Sequence, residues 1–575
     1  MNPKLEASLI MIPSAYKEDK VYSIIPQDRS GDLTFTRASD GTRVNSAGYI
    51  ERVPWNLLLQ SNTFSTTWIL PNATVTSGQT GYDGSSNAWL LSKSASGGRI
   101  YQNISTSGVQ TLSVYAKAGS LNWLSLWTNI GTSYFNLATG TKGSTTAGTT
   151  IGSEIESVGN GWYRCSFIFD TSIINVRIYP ADGDLDISGT SGNIYIQDAQ
   201  LVEGSTAKPY FPTTDRLNVP RLDYSGGCPS LLLEPQRTNL RVYSEQINST
   251  NYSLTNVTSS ENTLTSPDGT INADKIIEST SNSSHAVLCG VSLGGTVDNS
   301  PYCISVFAKA EGRSEILFYD NNQATGGVSR FNLSTGVVVS GTGKIENYGN
   351  GWYRCTIFCL KDNSTTANIH LYLLDSAGNS TYTGNGTSGI GLWGYQVEAG
   401  SYATSYIPTT SASVTRVADE AYKTGISSLI GQSEGVLFVD FVYNSKSGTN
   451  RLSISDGTTN NWIFIGTPED SANDGSRFYI KTNGSVAVDV GSSSYFTIGQ
   501  RYKLAIAYKS GDWAVYGNGT LLYSGTSSIA SVSSPLSVFN FFSITGVAGA
   551  AENINQTVLF KTRLTNAELA ALTTL

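Results

Sequence analysis

The stretch Gly159-Asn160-Gly161-Trp162-Tyr163-Arg164-Cys165 occurs twice, returning unchanged as Gly349-Asn350-Gly351-Trp352-Tyr353-Arg354-Cys355. An Asn-Gly pair tolerates positive φ at both positions and so closes a tight hairpin. The residues after it alternate. Tyr163, Cys165, Phe167 and Phe169 share one face, while Trp162, Arg164, Ser166 and Ile168 share the other. Tyr353, Cys355, Ile357 and Cys359 answer the first set. The pattern predicts a strand with one face in a sandwich core. Its outer face sets a Trp and an Arg two residues apart, either to stack beneath a loop, the preferred reading, or to grip a ligand.

Further marks recur around each copy in the same order. Tyr115-Ala116-Lys117-Ala118 answers Phe307-Ala308-Lys309-Ala310, and Phe135-Asn136-Leu137-Ala138-Thr139-Gly140 answers Phe331-Asn332-Leu333-Ser334-Thr335-Gly336. Gln200-Leu201-Val202-Glu203-Gly204 answers Gln396-Val397-Glu398-Ala399-Gly400, and Pro212-Thr213-Thr214 answers Pro408-Thr409-Thr410. The offsets lie between 190 and 196, which describes a duplicated domain and not a solenoid repeat. The expected class is all-β: tandem antiparallel jelly-roll sandwiches behind an extended N-terminal segment. The expected boundaries are 1–53 for that segment, 54–214 for repeat 1, 215–236 for a linker, 237–410 for repeat 2 and 411–575 for a C-terminal sandwich.

Composition agrees. Only 14% of the 575 residues are charged and 58 are Gly, which suits short strands joined by tight turns. The net charge of −8 argues against a nucleic-acid partner, which needs a basic footprint. No apolar run is long enough for membrane insertion. The first twenty residues lack the features of a secretory signal, so synthesis in a cytoplasm is expected. The six cysteines include Cys165 and Cys355 at equivalent inward positions, expected as buried reduced thiols. With only two histidines, His285 and His370, no metal site and no cofactor are expected.

Sugar binding needs exposed aromatic faces. Trp123 and Trp127 lie four apart on one strand face, with Asn122, Leu124 and Leu126 on the other. Which face is buried stays ambiguous, with the two Trp in the core as the preferred reading. Trp462, after Asn460-Asn461, is a better candidate, in a loop, and Trp89 is a carbohydrate-binding candidate without an assigned place. In the N-terminal segment Phe35 and Tyr49 are spaced for pairing with another surface. Arg37 and Arg43 are either solvated or anchors to a partner's carboxylates. The Leu231–Leu233 triplet of the linker is expected to lie against a repeat.

Tyr502-Lys503-Leu504-Ala505-Ile506-Ala507-Tyr508, Trp513 to Gly519 and the terminal Leu564-Thr565-Asn566-Ala567-Glu568-Leu569 resemble a concanavalin-A-like or laminin-G-like jelly roll. The repeats look like carbohydrate-binding-module or galactose-binding-like sandwiches. Phe35-Thr36-Arg37-Ala38-Ser39, Thr42-Arg43-Val44-Asn45, Pro220-Arg221-Leu222-Asp223-Tyr224 and Leu231 to Leu240 are similar to tailed-bacteriophage virion proteins: head fibres, tail fibres and minor tail proteins. That resemblance implies a non-enzymatic structural or adhesive protein on the virion surface. Attachment to capsid or tail proteins through residues 1–53, host glycans as ligands and a homo-oligomer, a trimer by preference, are the implied partners. A ligand-free spacer is the alternative. A polysaccharide-degrading enzyme is a further alternative, but the Glu-x-Asp-x-x-Glu string of concanavalin-like glucanases is absent, and Glu469, Asp470 and Asp474 read as a solvated turn.

Overall fold

The computed structural model describes residues 6–106, 108–146, 150–294, 299–362, 364–445, 451–467, 475–541 and 552–575. Glu469, Asp470 and Asp474 lie outside them. The secondary structure is almost wholly antiparallel β, with one α-helix among the described residues, Asn566–Thr573. Thr565 and Glu568 form its capping box, each side chain meeting the other's backbone N–H. No described helix is long and apolar enough to cross a membrane. The chain falls into two compact units, 53–217 and 1–52 with 218–575.

The first unit is repeat 1. Its first sheet runs Thr150–Gly159, Trp162–Asp170, Val109–Ala118, Gly192–Glu203, Ala88–Lys93, Ala73–Gln79. The second runs Thr141–Thr146, Gly131–Asn136, Trp123–Thr128, Ile173–Ala181, Ile100–Thr106. The hairpin stretch behaves as its residues dictate. Asn160 and Gly161 both take positive φ, 52° and 76°, and the strand after them sends Cys165, Phe167 and Phe169 into the core.

Repeat 2, in the other unit, has the same central order. Pro301–Glu311 lies between Trp352–Lys361 and Gly389–Ala399, as Val109–Ala118 lies between Trp162–Asp170 and Gly192–Glu203. Lys309 faces Trp352 where Lys117 faces Trp162. Even the bulge recurs, at Asp198 (φ 54°) and Gly394 (φ 64°). One buried asparagine organises each repeat. Asn56 donates to Ala199 O and Phe211 O and accepts from Leu58 N and Leu201 N. Asn239 does the same with Tyr395 O, Ile407 O, Arg241 N and Val397 N. Four bonds to one buried amide leave it no unmet polar atom. The Pro-Thr-Thr marks close the sandwich, for Thr213 N–H reaches Ser61 Oγ and Thr409 N–H reaches Ser244 Oγ, each at 2.9 Å.

The C-terminal sandwich departs from the expected boundaries. Ala7–Met11 pairs with Glu552–Phe560, and Leu33–Thr36 pairs with Glu420–Lys423. The linker strand Ser230–Leu233 also pairs with Glu552–Phe560. Leu9, Leu33, Phe35, Leu231 and Leu233 share one core with Leu437, Ile454, Phe478, Leu504 and Leu559. Residues 6–36 and the linker triplet are therefore strands of the C-terminal sandwich, not a free attachment arm and a segment lying on a repeat. The physical reason is burial: these side chains have no core of their own, and the sandwich offers open sheet edges.

A buried ion network ties these pieces together. Arg37 pairs with Asp419 at 2.9 Å, Arg221 bridges Asp419 and Glu234, and Arg416 reaches Glu234 at 2.7 Å. All five side chains are shielded from water. Burial by itself would raise the Glu234 carboxyl, but Arg416 and Arg221 override it and hold it down at about 2.

Candidate functional site

The second sheet of repeat 1 carries the candidate site on its outer face. Alternation along Trp123–Thr128 sends Leu124 and Leu126 into the core and leaves Trp123, Ser125 and Trp127 outside. This reverses the preferred sequence reading of the two Trp as core residues. Both strand faces are bulky, and only the neighbouring strands decide between them. Those neighbours build a lattice. One row across the sheet reads Thr132, Trp127, Arg177, Tyr101, and the next reads Tyr134, Ser125, Tyr179.

Within the lattice cations and rings alternate. The Arg177 guanidinium lies 3.7 Å from the Trp127 ring centroid and 6.0 Å from that of Tyr101. Arg99 lies 5.7 Å from Tyr101 and 5.6 Å from Tyr179. Arg177 is steadied by Asn175 Oδ1 at 3.2 Å and Arg99 by Gly97 O at 3.0 Å. Neither has an ion-pair partner among the described residues. Trp123, Trp127, Tyr101, Arg99 and Arg177 are half-buried, while Ser125 and Thr132 beneath them share a 2.8 Å hydrogen bond. Burial raises the Tyr134 hydroxyl's pKa, so it stays a proton donor.

The rim is the turn after Ala181. Asp184 accepts from Ser144 N and Oγ, both at 2.8 Å, drawing the turn onto the neighbouring strand. Gly143 permits that approach, since a Cβ there would lie 2.6 Å from both the Trp123 ring and an Asp184 oxygen. Asp186 is held below the usual carboxylate range by hydrogen bonds from Ser188, so it is ionised at neutral pH. Among the described residues no three His, Cys, Asp or Glu side chains gather to hold a metal. The surface can stack sugar rings on Trp and Tyr and offer two guanidiniums to an anionic group.

Repeat 2 presents the corresponding row as Val328, Tyr319, His370, Leu288. His370 thus stands where Arg177 stands, and Tyr319 where Trp127 stands. The Tyr319, His370 and Tyr372 rings lie within 12° of parallel, with centroids 4.9 to 6.0 Å apart.

The other sequence candidates are placed elsewhere. Trp89 is half-buried at the edge of the repeat 1 core, its Nε1–H on Asn62 O. Trp462 is no exposed loop residue: it opens a strand, is 7% exposed and packs 4.5 Å from Phe464. Phe35 and Arg37 are buried in core and ion network, so neither faces a partner. Arg43 is buried too, bound to Glu51 at 2.8 Å and to Leu222 O. Tyr49 is half-buried against Gly269 of repeat 2. Trp162 and Trp352, each 1% exposed, lie beneath covering segments as structural residues. Arg164 and Arg354 tie the following loop back through Lys208 O and Thr404 O. Sequence reading missed Arg99, Tyr101, Tyr134, Arg177 and Tyr179, which come from three strands and the residue preceding one of them and form no local motif. The one local signal was Arg177 and Tyr179 alternating with apolar Val176 and Ile178.

No family model matches the chain, and no curated protein matches it. Among solved structures it is similar to the CBM40 of Ruminococcus gnavus IT-sialidase, at 14% identity over 26% of this chain and 91% of that one, with a TM-score of 0.22. It is similar to Caenorhabditis elegans galectin LEC-6, at 11% identity over 23% of this chain and 85% of that one, with a TM-score of 0.18. Mouse laminin alpha1 chain domains LG4-5 match at 13% identity over 51% of this chain and 91% of that one, with a TM-score of 0.17.

Proposed function

We propose that this chain is a non-enzymatic fibre or decoration protein of a tailed-phage virion, and that the outer strip of repeat 1 binds a glycan carrying a carboxylate. The virion reading rests on the sequence motifs around Phe35, Thr42, Pro220 and Leu231. The glycan reading rests on one observation: Arg177 lies 3.7 Å over Trp127 on an outer sheet face, with no carboxylate partner among the described residues. The part-exposed indoles and the part-exposed Tyr101 ring offer stacking surface to the C–H faces of sugars, and a planar guanidinium takes a carboxylate in a two-bond fork. The absence of catalysis is supported by the rim carboxylates. Asp184 and Asp186 are each committed to a serine, and Asp186 is too acidic for the protonated partner a glycosidase needs.

Titration calorimetry of the full chain against acidic and neutral oligosaccharides at pH 7.5 tests this. Trp127→Ala and Arg177→Ala are expected each to weaken binding of an acidic glycan at least about ten-fold, roughly one hot-spot side chain, with melting temperature nearly unchanged. Unchanged affinity in both variants would remove the site. No binding by the parent chain favours a ligand-free spacer, and release of reducing sugar would contradict the non-enzymatic reading.

A further inference from the structure

The corresponding row of repeat 2 differs in one chemical respect. Its cation position holds an imidazole, which is charged only in acid. Both ring nitrogens of His370 are shielded and lack a hydrogen-bond partner among the described residues. An unpaired polar group in a folded protein calls for an explanation, and a half-buried imidazole whose edge turns outward on taking a proton and an anion is one. Tyr319 lies 4.9 Å from the imidazole centroid at 12°, a seat for a cation over a ring like that of Arg177 over Trp127. Nearby, Arg330 is already paired with Glu315, so it does not serve as the strip's free cation.

We propose that the Tyr319–His370–Tyr372 face of repeat 2 is a second site for a carboxylate-bearing glycan, formed only when His370 is protonated. The ligand class is taken from the reading of repeat 1; the site and its dependence on acid are not.

The groups facing His370 set the sense of the switch. Glu315–Asp320 contributes Tyr319 and Asp320, the histidine's own strand contributes Tyr372, and Ala286–Ser292 contributes apolar Leu288. Asp320 is turned inward, accepting from Tyr302 OH and from the backbone N–H groups of Asn322 and Asn368. Burial lowers the His370 pKa below its usual 6.5, with Asp320 opposing. The imidazole is therefore neutral at pH 7 and charges only in acid. A bound carboxylate draws that titration upward, so binding takes up a proton.

The chain has only two histidines, so imidazole ¹⁵N signals report the site directly. His285, buried and held on Asn256 O at 2.8 Å, serves as the internal control. The background is the full chain carrying Trp127→Ala and Arg177→Ala, which silences repeat 1. Trigalacturonate and 3′-sialyllactose are the probes, with lactose as the uncharged control. Expected are binding of the acidic probes at least ten-fold tighter at pH 5.0 than at pH 7.5, movement of the His370 signals alone, and no response to lactose. His370→Arg in that background should bind at both pH values, and His370→Gln at neither. The proposal is overturned if affinity does not rise in acid, if the rise survives His370→Gln, or if His370 stays neutral down to pH 4.5. The repeat 1 reading is judged separately, from the loss of binding at pH 7.5 between the parent chain and the background variant.

Discussion

Repeat 1 and repeat 2 share strand order, a bulge and a four-bond asparagine, yet their outer faces have diverged. On the first sheet of repeat 1, Tyr82 lies 4.0 Å over Tyr115 and donates to Asp198, covering Trp162 from within the repeat. Repeat 2 has Pro267 in the corresponding turn, and the cover comes from outside it. Ile50 of the hairpin Gly41–Val44 and Ile50–Val53 donates its N–H to Pro267 O and packs with Phe307, Trp352 and Trp393. The interior of a duplicated sandwich is constrained from every side, so it is kept. An outer face answers only to what lies on it, so the two copies were free to specialise. One is self-contained; the other is built into the sandwich that closes the chain.

The largest test of that contrast is Asp419→Ala. It strands the buried guanidinium of Arg37 and leaves Arg221 with Glu234 as its one carboxylate, a loss of roughly 3–5 kcal/mol. Scanning calorimetry should show the transition of residues 218–575 moving down by many degrees while that of repeat 1 stays in place. A uniform shift of both would mean the two units unfold as one.

Trp162→Ala and Trp352→Ala come next, at roughly 3 kcal/mol each for a buried indole. Trp352 should cost more, because its Nε1–H also holds Thr265 O at 2.8 Å. Denaturant unfolding of both variants ranks them, and a larger loss at Trp162 would show that the external cover contributes less than the internal one.

The smallest effect is a dependence on pH. Glu234 is depressed to about 2, so its contribution is complete above the unfolded value of 4.5 and is lost as pH falls toward 2. Asp198 is raised to about 6, mainly by burial with Tyr82 hydrogen bonding in opposition. Repeat 1 should therefore lose up to about 3 kcal/mol as pH rises from 3.8 through 6. In the other unit burial raises Asp274 to about 6 and Glu552 to about 8, which opposes Glu234, so melting curves between pH 3 and 7 should show the repeat 1 transition falling, and Asp198→Asn should flatten that fall.

The duplication and its hairpin strands were legible because they are local. Asn160-Gly161 and the alternation after it state turn, strand and buried face within ten residues. The strip on repeat 1 was half legible. Trp123 and Trp127 stood out, but Leu124 and Leu126 made the opposite face equally apolar, and the deciding partners Arg177 and Tyr101 arrive from other strands. The ion network was not legible at all. Arg37 read either as a solvated charge or as an anchor to a partner's carboxylate, and Arg221 and Arg416 gave no signal of an ion pair, since Asp419 lies far in sequence from Arg37 and Arg221 and Glu234 lies far from Arg416. The same distance hid the role of Leu33 and Phe35, whose partner strand begins at Glu420.

That last separation has a consequence for how the chain comes off the ribosome. At roughly 5–20 residues per second, repeat 1 is complete within the first minute. Ala7–Met11 must wait for Glu552–Phe560, so its hydrogen-bonding edge stays unmatched for roughly another quarter-minute to a minute. Throughout that interval a nascent strand bearing Leu9, Ile10 and Met11 is open to any other unpaired edge in the cell. Assembly of the closing sandwich is thus a race between completing translation and mispairing, one that slower decoding of the second half of the message would make harder to win.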